Sequence, residues 1–597
     1  MSTFTTRPEL AGTFGMVAST HWLATAAGMA VLEDGGNAFD AAVATAFALH
    51  VVEPQMNGPG GEVPALFATA ADPRPMVLCG QGVAPAGASI EHFRGLRLEI
   101  VPGTGYLPAT VPGAVGGWLT LLRDHGTRRL RDVLRFAIGY AEEGHPISES
   151  ASRIIAQVVD LFTTEWPSSA AVWVPDGRVP RPGELVRNPA LGATYRRLID
   201  ESEAAGGDRE RQIDAAITAW YGGWVAESID AAVRTPVLDS SGERHAGVLT
   251  GADMAAWRAT YERPLSIEWR GFTICKAGPW SQAPVLLQQL RLLDPVDEPY
   301  GSESLVHQAV ESAKLAFADR EAWYGDGLDV PLDALLSEDY AAGRRSLIGG
   351  TASMHLRPGS PGGREPRLPQ YVLRGGSRSV AAGTGEPTIT SGEPTVEHSG
   401  RTRGDTCHLD VVDRAGNIIS ATPSGGWLQS SPIISGLGFP LGTRGQMFWL
   451  EEGLPNSLVP GNRPRTTLSP TLALRDGIPV LACGTPGGDQ QDQWQLCFLL
   501  AHMAAGMNLQ EAIDAPAWHT TAFPSSFYPR EMRPGGVVIE DRVGAAVLDG
   551  LRRRGHEVTV AGGWTQGRMS AVSRDPSTGI LKAAANARGM LGYAAGR

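Results

Sequence analysis

One threonine stands at an abrupt change in the character of the sequence. Thr406, in RGDTCHLDVVD, follows a long stretch rich in Gly, Pro, Ser and Thr and begins a more ordered pattern. A threonine hydroxyl becomes a useful nucleophile only when a base takes its proton. If the peptide bond before Thr406 is cut, the new α-amine can be that base, since its pKa of about 8 lies near neutral pH. The alternative interpretation is a threonine that merely begins an ordinary edge strand.

The residues after Thr406 predict a β-hairpin. In CHLDVV, apolar and polar side chains alternate, as they do in a strand. VVDRAGNII is then typical of a strand, a turn and a second strand. If Val412 pairs with Asn417, position 423 lies opposite Thr406, and the hydroxyls of Thr422 and Ser424 come beside the Thr406 hydroxyl. Thr422 and Ser424 are therefore candidates to assist the nucleophile.

A glycine pair could bind the negative charge that develops in acyl transfer. PVLACGTPGGDQQDQWQLCFLLAHMAAG places Gly487 and Gly488 between a predicted strand and a helix expected to begin near Asp489. Backbone N–H groups at a helix N-terminus point outward, and the helix dipole favours an anion there. These donors would suit an oxyanion hole. The alternative is a simple turn between two elements.

A cluster of hydroxyls is the third candidate feature. PGNRPRTTLSPTLALRDG brings Thr466, Thr467 and Ser469 together with Arg463 ahead of a predicted strand. Such hydroxyls could hydrogen-bond to a polar group of a substrate. The alternative is an ordinary loop before a strand.

A low-complexity segment separates the two halves of the chain. From about residue 357 to residue 405 the sequence is poor in apolar residues and rich in Gly, Pro, Ser and Thr. Such a composition cannot bury enough apolar surface to offset the entropy of ordering. We expect a flexible stretch, typical of a linker, a lid or a processing segment.

The remaining elements predict a mixed α/β chain. Residues 22–50 are typical of two helices separated by a Gly-Gly stop, and the second is apolar nearly all round and therefore buried. Residues 57–70 predict a glycine turn that leads into a strand, and residues 112–345 are mostly helical in pattern.

Composition excludes several classes of protein. The 597 residues carry a formal charge of −12, so a nucleic-acid partner is not expected. Five scattered cysteines without a CxxC pair argue against a disulfide framework or a zinc knuckle. No window approaches the ~20 apolar residues of a membrane span, and the first residues do not resemble a signal peptide. We therefore expect a cytoplasmic protein without a membrane partner.

Other catalytic signatures are missing from the sequence. HExxH, GxSxG, GxxxxGK[ST] and a complete GxGxxG do not occur, and the thirteen histidines are dispersed. The sequence therefore predicts neither a metal nor an organic cofactor.

Taken together, the motifs resemble those of the γ-glutamyltransferase family of N-terminal nucleophile hydrolases. GMVAST…GMAVLEDGGNAFDAAVATAFALHVVEPQMNGPGGE is similar to the N-terminal signature of that family, and DTCHLDVVDRAGN to its processing site. RPRTTLSPTLALRDG and GTPGGDQQ are similar to its substrate and oxyanion segments. The resemblance is collinear from about Gly15 to the C-terminus.

The resemblance implies a four-layer αββα sandwich and autocatalytic cleavage between Asp405 and Thr406. Residues 1–405 would form a large subunit and residues 406–597 a small catalytic subunit, which together make one αββα unit. The acyl group of an amide donor would pass to Thr406 and then to water or an acceptor amine. Thr422 and Ser424 would support the nucleophile, and Gly487 and Gly488 would hold the oxyanion.

The predicted donor pocket departs from the family pattern. Thr466 and Thr467 occupy the positions of a serine pair, and Gln446 is retained. Gln81 stands where the family has an arginine for the donor's α-carboxylate, and Trp449 stands where it has an aspartate for the α-amine. Without both charged partners, the affinity of the pocket for a zwitterionic γ-glutamyl group would fall by a factor on the order of 10³.

Two more positions of the pocket complete the prediction. Gly426 replaces an asparagine that binds the donor in the family, and Arg444 or Arg465 could supply a replacement positive charge. The sequence therefore predicts a self-cleaving γ-glutamyltransferase-family enzyme. The alternatives are an acylase or small-amide hydrolase on the same scaffold and an unprocessed, non-catalytic binding protein.

Overall fold

A computed structural model describes residues 4–294, 297–327, 329–375 and 406–597 of the protein. In these ranges the chain forms two large sheets, three small ones and helices on both outer faces. Within them, no helix combines the length and the apolar character needed to cross a lipid bilayer.

The strands are short, and two antiparallel sheets of seven strands each form the centre of the molecule. The first sheet has the order β1-β20-β19-β15-β14-β11-β10, and the second has the order β21-β2-β12-β13-β3-β4-β9. The strands are β1 Leu10–Gly12, β2 Gly15–Ser19, β3 Val63–Ala68, β4 Met76–Gly80, β5 His145–Pro146, β6 Leu185–Val186, β7 Val237–Leu238, β8 Arg244–His245, β9 Thr260–Glu262, β10 Leu265–Trp269, β11 Phe272–Lys276, β12 Leu409–Asp413, β13 Ile418–Ala421, β14 Thr471–Arg475, β15 Ile478–Gly484, β16 Trp518–Thr520, β17 Gly536–Glu540, β18 Glu557–Ala561, β19 Ser570–Arg574, β20 Leu581–Ala585 and β21 Tyr593–Gly596.

The helices cover the outer faces of the two sheets. They are α1 Trp22–Glu33, α2 Ala38–Val52, α3 Ile90–Gly95, α4 Ala114–His125, α5 Leu130–Glu142, α6 Glu149–Thr164, α7 Pro167–Trp173, α8 Pro189–Ala204, α9 Arg209–Gly222, α10 Trp224–Val233, α11 Gly251–Ala256, α12 Pro284–Leu293, α13 Glu303–Trp323, α14 Leu332–Leu335, α15 Glu338–Arg345, α16 Gln370–Leu373, α17 Gln491–Leu499, α18 Leu509–Asp514 and α19 Ala545–Arg553.

Three apolar layers hold this arrangement together. One layer joins the outer face of the second sheet to α1, α2, α4, α5, α8 and α9. Another joins the outer face of the first sheet to α12, α13 and α17. The third lies between the sheets and contains Ala18 and Leu66 of the second sheet and Leu472 and Val572 of the first. The order helix, sheet, sheet, helix is the predicted αββα sandwich.

Helix α2 shows why the sequence folds in this way. Asn37 caps its first turn by accepting hydrogen bonds from the N–H groups of Phe39 and Asp40, and the Asp40 carboxylate binds back to the Asn37 N–H. All fifteen residues of α2 are buried, as expected for a helix that is apolar on every side. The helix packs against β12, the strand that follows Thr406.

The predicted register of the β12–β13 hairpin is wrong by one residue. Val412 pairs with Ile418 and not with Asn417. Asp413 remains in the strand, and its carboxylate accepts hydrogen bonds from the N–H groups of Gly416 and Asn417. Gly416 in the turn adopts a φ of 101°, and the residues between the two strands are 414–417 in place of the predicted 413–416. Ser424 therefore lies directly opposite Thr406.

The low-complexity segment lies partly outside the described residues. Residues 376–405, including Asp405, fall outside them. Residues 357–375 pack on the body of the protein. Gly359 accepts a hydrogen bond from the Trp323 indole, Val372 of α16 is buried, and the Tyr371 hydroxyl donates to the carbonyl of Pro529.

Candidate active site

Thr406 and Ser424 face each other across the start of the hairpin. Their hydroxyl oxygens lie 3.3 Å apart, and both side chains are buried. The strand pairing of β12 with β2 and β13 fixes the backbone that follows Thr406. At this distance the two hydroxyl groups can form a hydrogen bond, which orients the hydroxyl of Thr406.

A buried ion pair holds the Ser424 hydroxyl in place. Arg444 donates from Nη2 to Ser424 Oγ at 2.8 Å and from Nε to Glu62 Oε1 at 2.6 Å. Burial raises the pKa of Glu62, and the neighbouring Arg444 opposes this shift. The Arg444 side chain, predicted as a donor-binding cation, is thus engaged by Glu62 and Ser424.

Thr422 contacts His408, which lies two residues after Thr406. Its hydroxyl lies 2.9 Å from His408 Nδ1, because the observed register places it opposite His408. The other ring nitrogen lies 2.9 Å from Asp410 Oδ1, and Ser570 donates to Asp410 Oδ2 at 2.8 Å. This chain of hydrogen bonds fixes β12, the strand that follows Thr406, to the opposite sheet.

The strand end that leads into the glycine turn packs against the ring of His408. Gly484 ends β15, and a Cβ at this position would overlap the His408 ring. Gly487 has a φ of 121°, and a Cβ there would overlap the Trp494 ring. Gly488 begins a short 3-10 helix that continues into α17. The turn therefore requires glycine, and it places backbone N–H groups at a helix start, where an oxyanion hole could form.

We expect Gly487→Ala to lower the free energy of unfolding by about 2–5 kcal/mol, because it adds both backbone strain and an overlap with Trp494. The matched control is Gly579→Ala, which has a φ of 74° but would place its Cβ in open space. The control should cost about 1–2 kcal/mol. Urea unfolding of both variants checks the prediction, and equal losses would contradict it.

Thr466 and the glycine turn are tied together by one glutamine. The Gln282 N–H donates to the Thr466 carbonyl at 2.8 Å, and its side-chain Nε2 lies 3.4 Å from the Gly488 carbonyl oxygen. The neighbouring Thr467 hydroxyl is buried and has no hydrogen-bond partner in the described part of the chain. Gln282 therefore holds the segment with the predicted hydroxyl pair next to the predicted oxyanion turn.

The other predicted pocket residues differ in how many of their side-chain polar atoms form hydrogen bonds. The Gln446 side chain donates to the Gly103 carbonyl and accepts from the Tyr528 N–H. Gln81 Oε1 and Trp449 Nε1 are buried and have no partner among the described residues. Trp449 packs with Val372 of α16 in a small apolar cluster. The contacts of the described residues do not connect Gln81 directly to Thr406.

Sequence reasoning missed the roles of Glu62, His408 and Asp410. Glu62 follows the glycine turn NGPGGE and is buried although it is acidic, which the pattern could have signalled. His408 and Asp410 alternate with apolar residues, a pattern that by itself indicates only one face of a strand. Their contact with the second sheet depends on tertiary packing.

One further cluster contains metal-ligating residue types. His307, Glu311 and His556 lie together, although the sequence predicts no metal. His307 Nδ1 and His556 Nε2 are 2.8 Å apart, and Glu311 is paired with Lys314 at 2.8 Å and Arg357 at 3.1 Å. These cations would oppose a metal ion, so the cluster is better explained as a polar contact between α13 and the chain near β18.

An αββα sandwich in which a buried threonine lies just before a central strand is typical of the class of N-terminal nucleophile hydrolases. The chain matches the gamma-glutamyltranspeptidase family model over residues 24–596, and it belongs to that family. The predicted family, the predicted fold and the prediction of an enzyme of this family are confirmed.

Individual relatives cover nearly the whole chain. The glutathione hydrolase-like YwrD proenzyme of Bacillus subtilis (strain 168) is 29% identical over 97% of this chain and 98% of its own length. The solved structure of LmbA2991HD is 60% identical, with a TM-score of 0.93 and coverage of 100% of both chains. The cephalosporin acylase from Bacillus halodurans is 28% identical, with a TM-score of 0.80, over 100% of this chain and 98% of its own.

Proposed function

We propose that the protein cuts its own chain between Asp405 and Thr406 and then hydrolyses or transfers the acyl group of an amide donor. The observation that carries this proposal is the Thr406 hydroxyl, which lies 3.3 Å from a Ser424 hydroxyl that Arg444 holds in place. For cleavage, the Thr406 oxygen attacks the Asp405 carbonyl carbon and the C–N bond breaks. Water then hydrolyses the resulting ester and leaves Thr406 with a free α-amine.

In turnover, the α-amine takes the proton of the Thr406 hydroxyl as its oxygen attacks the donor amide. The N–H groups of Gly487 and Gly488 stabilise the oxyanion of the tetrahedral intermediate. The leaving amine receives the proton, and the acyl group remains on Thr406 as an ester. Water or an acceptor amine attacks this ester and regenerates the hydroxyl. The name of the related Bacillus subtilis proenzyme supports the cleavage step that precedes this turnover.

The proposed large and small subunits, residues 1–405 and 406–597, share both central sheets. In the second sheet β12 and β13 of the small piece lie between β2 and β3 of the large piece. In the first sheet β14 pairs with β11, and β20 pairs with β1. Separating the pieces would expose the core between them, so they should remain associated after cleavage.

The acyl group of the donor is the second part of the proposal. Arg444 and Arg465 each form a buried ion pair, with Glu62 and Glu321 respectively. Trp449 supplies an indole where a γ-glutamyl site needs an acid. These observations favour a donor other than a γ-glutamyl amide, as the name of the related cephalosporin acylase also suggests. An intact Thr406 site argues against a purely binding role.

We expect pentanoyl anilide to be cleaved with at least tenfold higher kcat/KM than γ-glutamyl anilide, because the γ-glutamyl ammonium group meets no acidic partner at Trp449. Release of the aniline chromophore at saturating and limiting donor concentrations measures this ratio. A clear preference for the γ-glutamyl donor would assign the protein to the γ-glutamyl enzymes of the family.

We also propose that the protein works in the cytoplasm on a small-molecule donor with water or an amine as acceptor. The five cysteines are buried free thiols, which suits a reducing compartment.

A further inference from the structure

A cavity of about 400 Å³ lies where the C-terminal end of α2 meets α7, the β5–β6 pair and residues 426–440. Its lining is mostly apolar. The rings of Trp173 and Phe439 and the aliphatic side chains of Val51 and Leu191 contribute to it. A concave, mostly apolar cavity of this size is typical of sites that bind small molecules.

Four polar atoms in the cavity walls have no hydrogen-bond partner in the described part of the chain. They are His50 Nε2, Asn57 Oδ1, His145 Nδ1 and Trp173 Nε1. All four residues are at most 4% exposed. Buried polar atoms are nearly always paired in folded proteins, because an unpaired one costs free energy. Four such atoms around one cavity therefore indicate a site for a polar molecule.

The walls of the cavity are electrically neutral where they are buried. Burial lowers the pKa of His50 to about 3 and that of His145 to about 4, so both rings are uncharged at neutral pH. Arg187 also lines the cavity, but it is exposed to solvent. The Trp173 indole can only donate a hydrogen bond, and Asn57 Oδ1 can only accept one. A complementary ligand therefore carries both an acceptor and a donor and no charge.

The cavity lies on the helix side of the second sheet. Asn57 connects it to the residue next to Thr406, because its Nδ2 donates to Cys407 Sγ at 3.1 Å and to the Leu49 carbonyl at 3.1 Å. Cys407 packs in the apolar layer between the second sheet and its helices. The Thr406 hydroxyl, in contrast, faces the Ser424 hydroxyl. The cavity is therefore separate from the proposed site of acyl transfer.

We propose that this cavity binds a small uncharged molecule in which a carbonyl acceptor lies next to an N–H donor, as in an amide or a lactam. The carbonyl can accept a hydrogen bond from the Trp173 indole, and the N–H can donate to Asn57 Oδ1. The rings of His50 and His145 can each donate or accept one more. The inference goes beyond the proposed function and does not depend on it, because binding here requires no chemistry at Thr406.

The test compares two ring compounds of nearly equal shape. Cyclopentanone has the ring and the carbonyl of 2-pyrrolidinone, but a CH₂ group replaces the N–H. Isothermal titration calorimetry of the wild-type protein should show saturable binding of one 2-pyrrolidinone per chain and at least tenfold weaker binding of cyclopentanone. Equal affinities, or no saturable binding of the lactam, would overturn the inference and leave ordered water as the occupant.

A pair of matched variants locates the bound lactam. Trp173→Phe removes the indole N–H and keeps an aromatic wall, so the affinity for 2-pyrrolidinone should fall at least tenfold. The control is Trp269→Phe, which removes an indole N–H that is also buried without a partner in the described ranges but belongs to the core of the first sheet. It should change the affinity less than twofold.

Equal affinities in the two variants would overturn the assignment to this cavity. Gel electrophoresis tests the proposed function separately. A protein that binds the lactam but never forms two fragments contradicts only the proposed function, and a cleaved, active protein that does not bind the lactam contradicts only the cavity site.

Discussion

Thr406→Ala should remain a single chain of 63.1 kDa and show no acyl transfer, whereas the wild-type protein should separate into two fragments on a denaturing gel. With 405 and 192 of the 597 residues, the fragments should be roughly 43 and 20 kDa at ~0.11 kDa per residue. The reason is chemical: alanine has no hydroxyl to attack the Asp405 carbonyl, and without cleavage no α-amine is formed at residue 406.

Thr406→Ser is the matched control for this experiment. It keeps a hydroxyl on the β-carbon and removes only a methyl group, so cleavage should proceed, although with a changed rate. N-terminal sequencing of the smaller fragment should begin at residue 406. An alanine variant that still forms both fragments, or a wild-type chain that stays whole and inactive, would contradict the assignment of the nucleophile.

Arg444→Met should lower the free energy of unfolding by about 3–5 kcal/mol and slow cleavage, because it leaves Glu62 buried without its partner and Ser424 without its donor. Denaturant unfolding measures the first effect, and a time course of fragment formation measures the second. An exposed ion pair provides the control. Arg74→Met breaks the contact of Arg74 with Asp72 and should change neither the free energy of unfolding nor the rate of cleavage measurably.

A double variant separates stability from positioning. Glu62→Gln with Arg444→Met removes both charges, so much of the lost stability should return. Cleavage should stay slow, since Ser424 still lacks the guanidinium donor that fixes its hydroxyl 3.3 Å from Thr406. If the double variant is cleaved as fast as the wild-type protein, Arg444 contributes only to stability.

Local patterns predicted the elements around the site well. The apolar character of α2, the glycine turn before β3 and the alternation in β12 each follow from a run of adjacent residues, so they can be recognised without knowledge of the fold. The predicted register of the hairpin is wrong by one residue because the Asp413 carboxylate caps the turn and keeps Asp413 in β12. That contact moved Ser424 opposite Thr406 and Thr422 opposite His408.

By itself, the sequence determined the family and the αββα fold and led to the proposal that Thr406 is the nucleophile, because each of these depends on motifs that are contiguous in the chain. Only the tertiary structure decided which charges are engaged. Arg444 and Glu62 are 382 positions apart, and Arg465 and Glu321 are 144 positions apart. The electrostatics of the buried residues depend on these distant pairs, because a carboxylate within ion-pair distance neutralises a guanidinium.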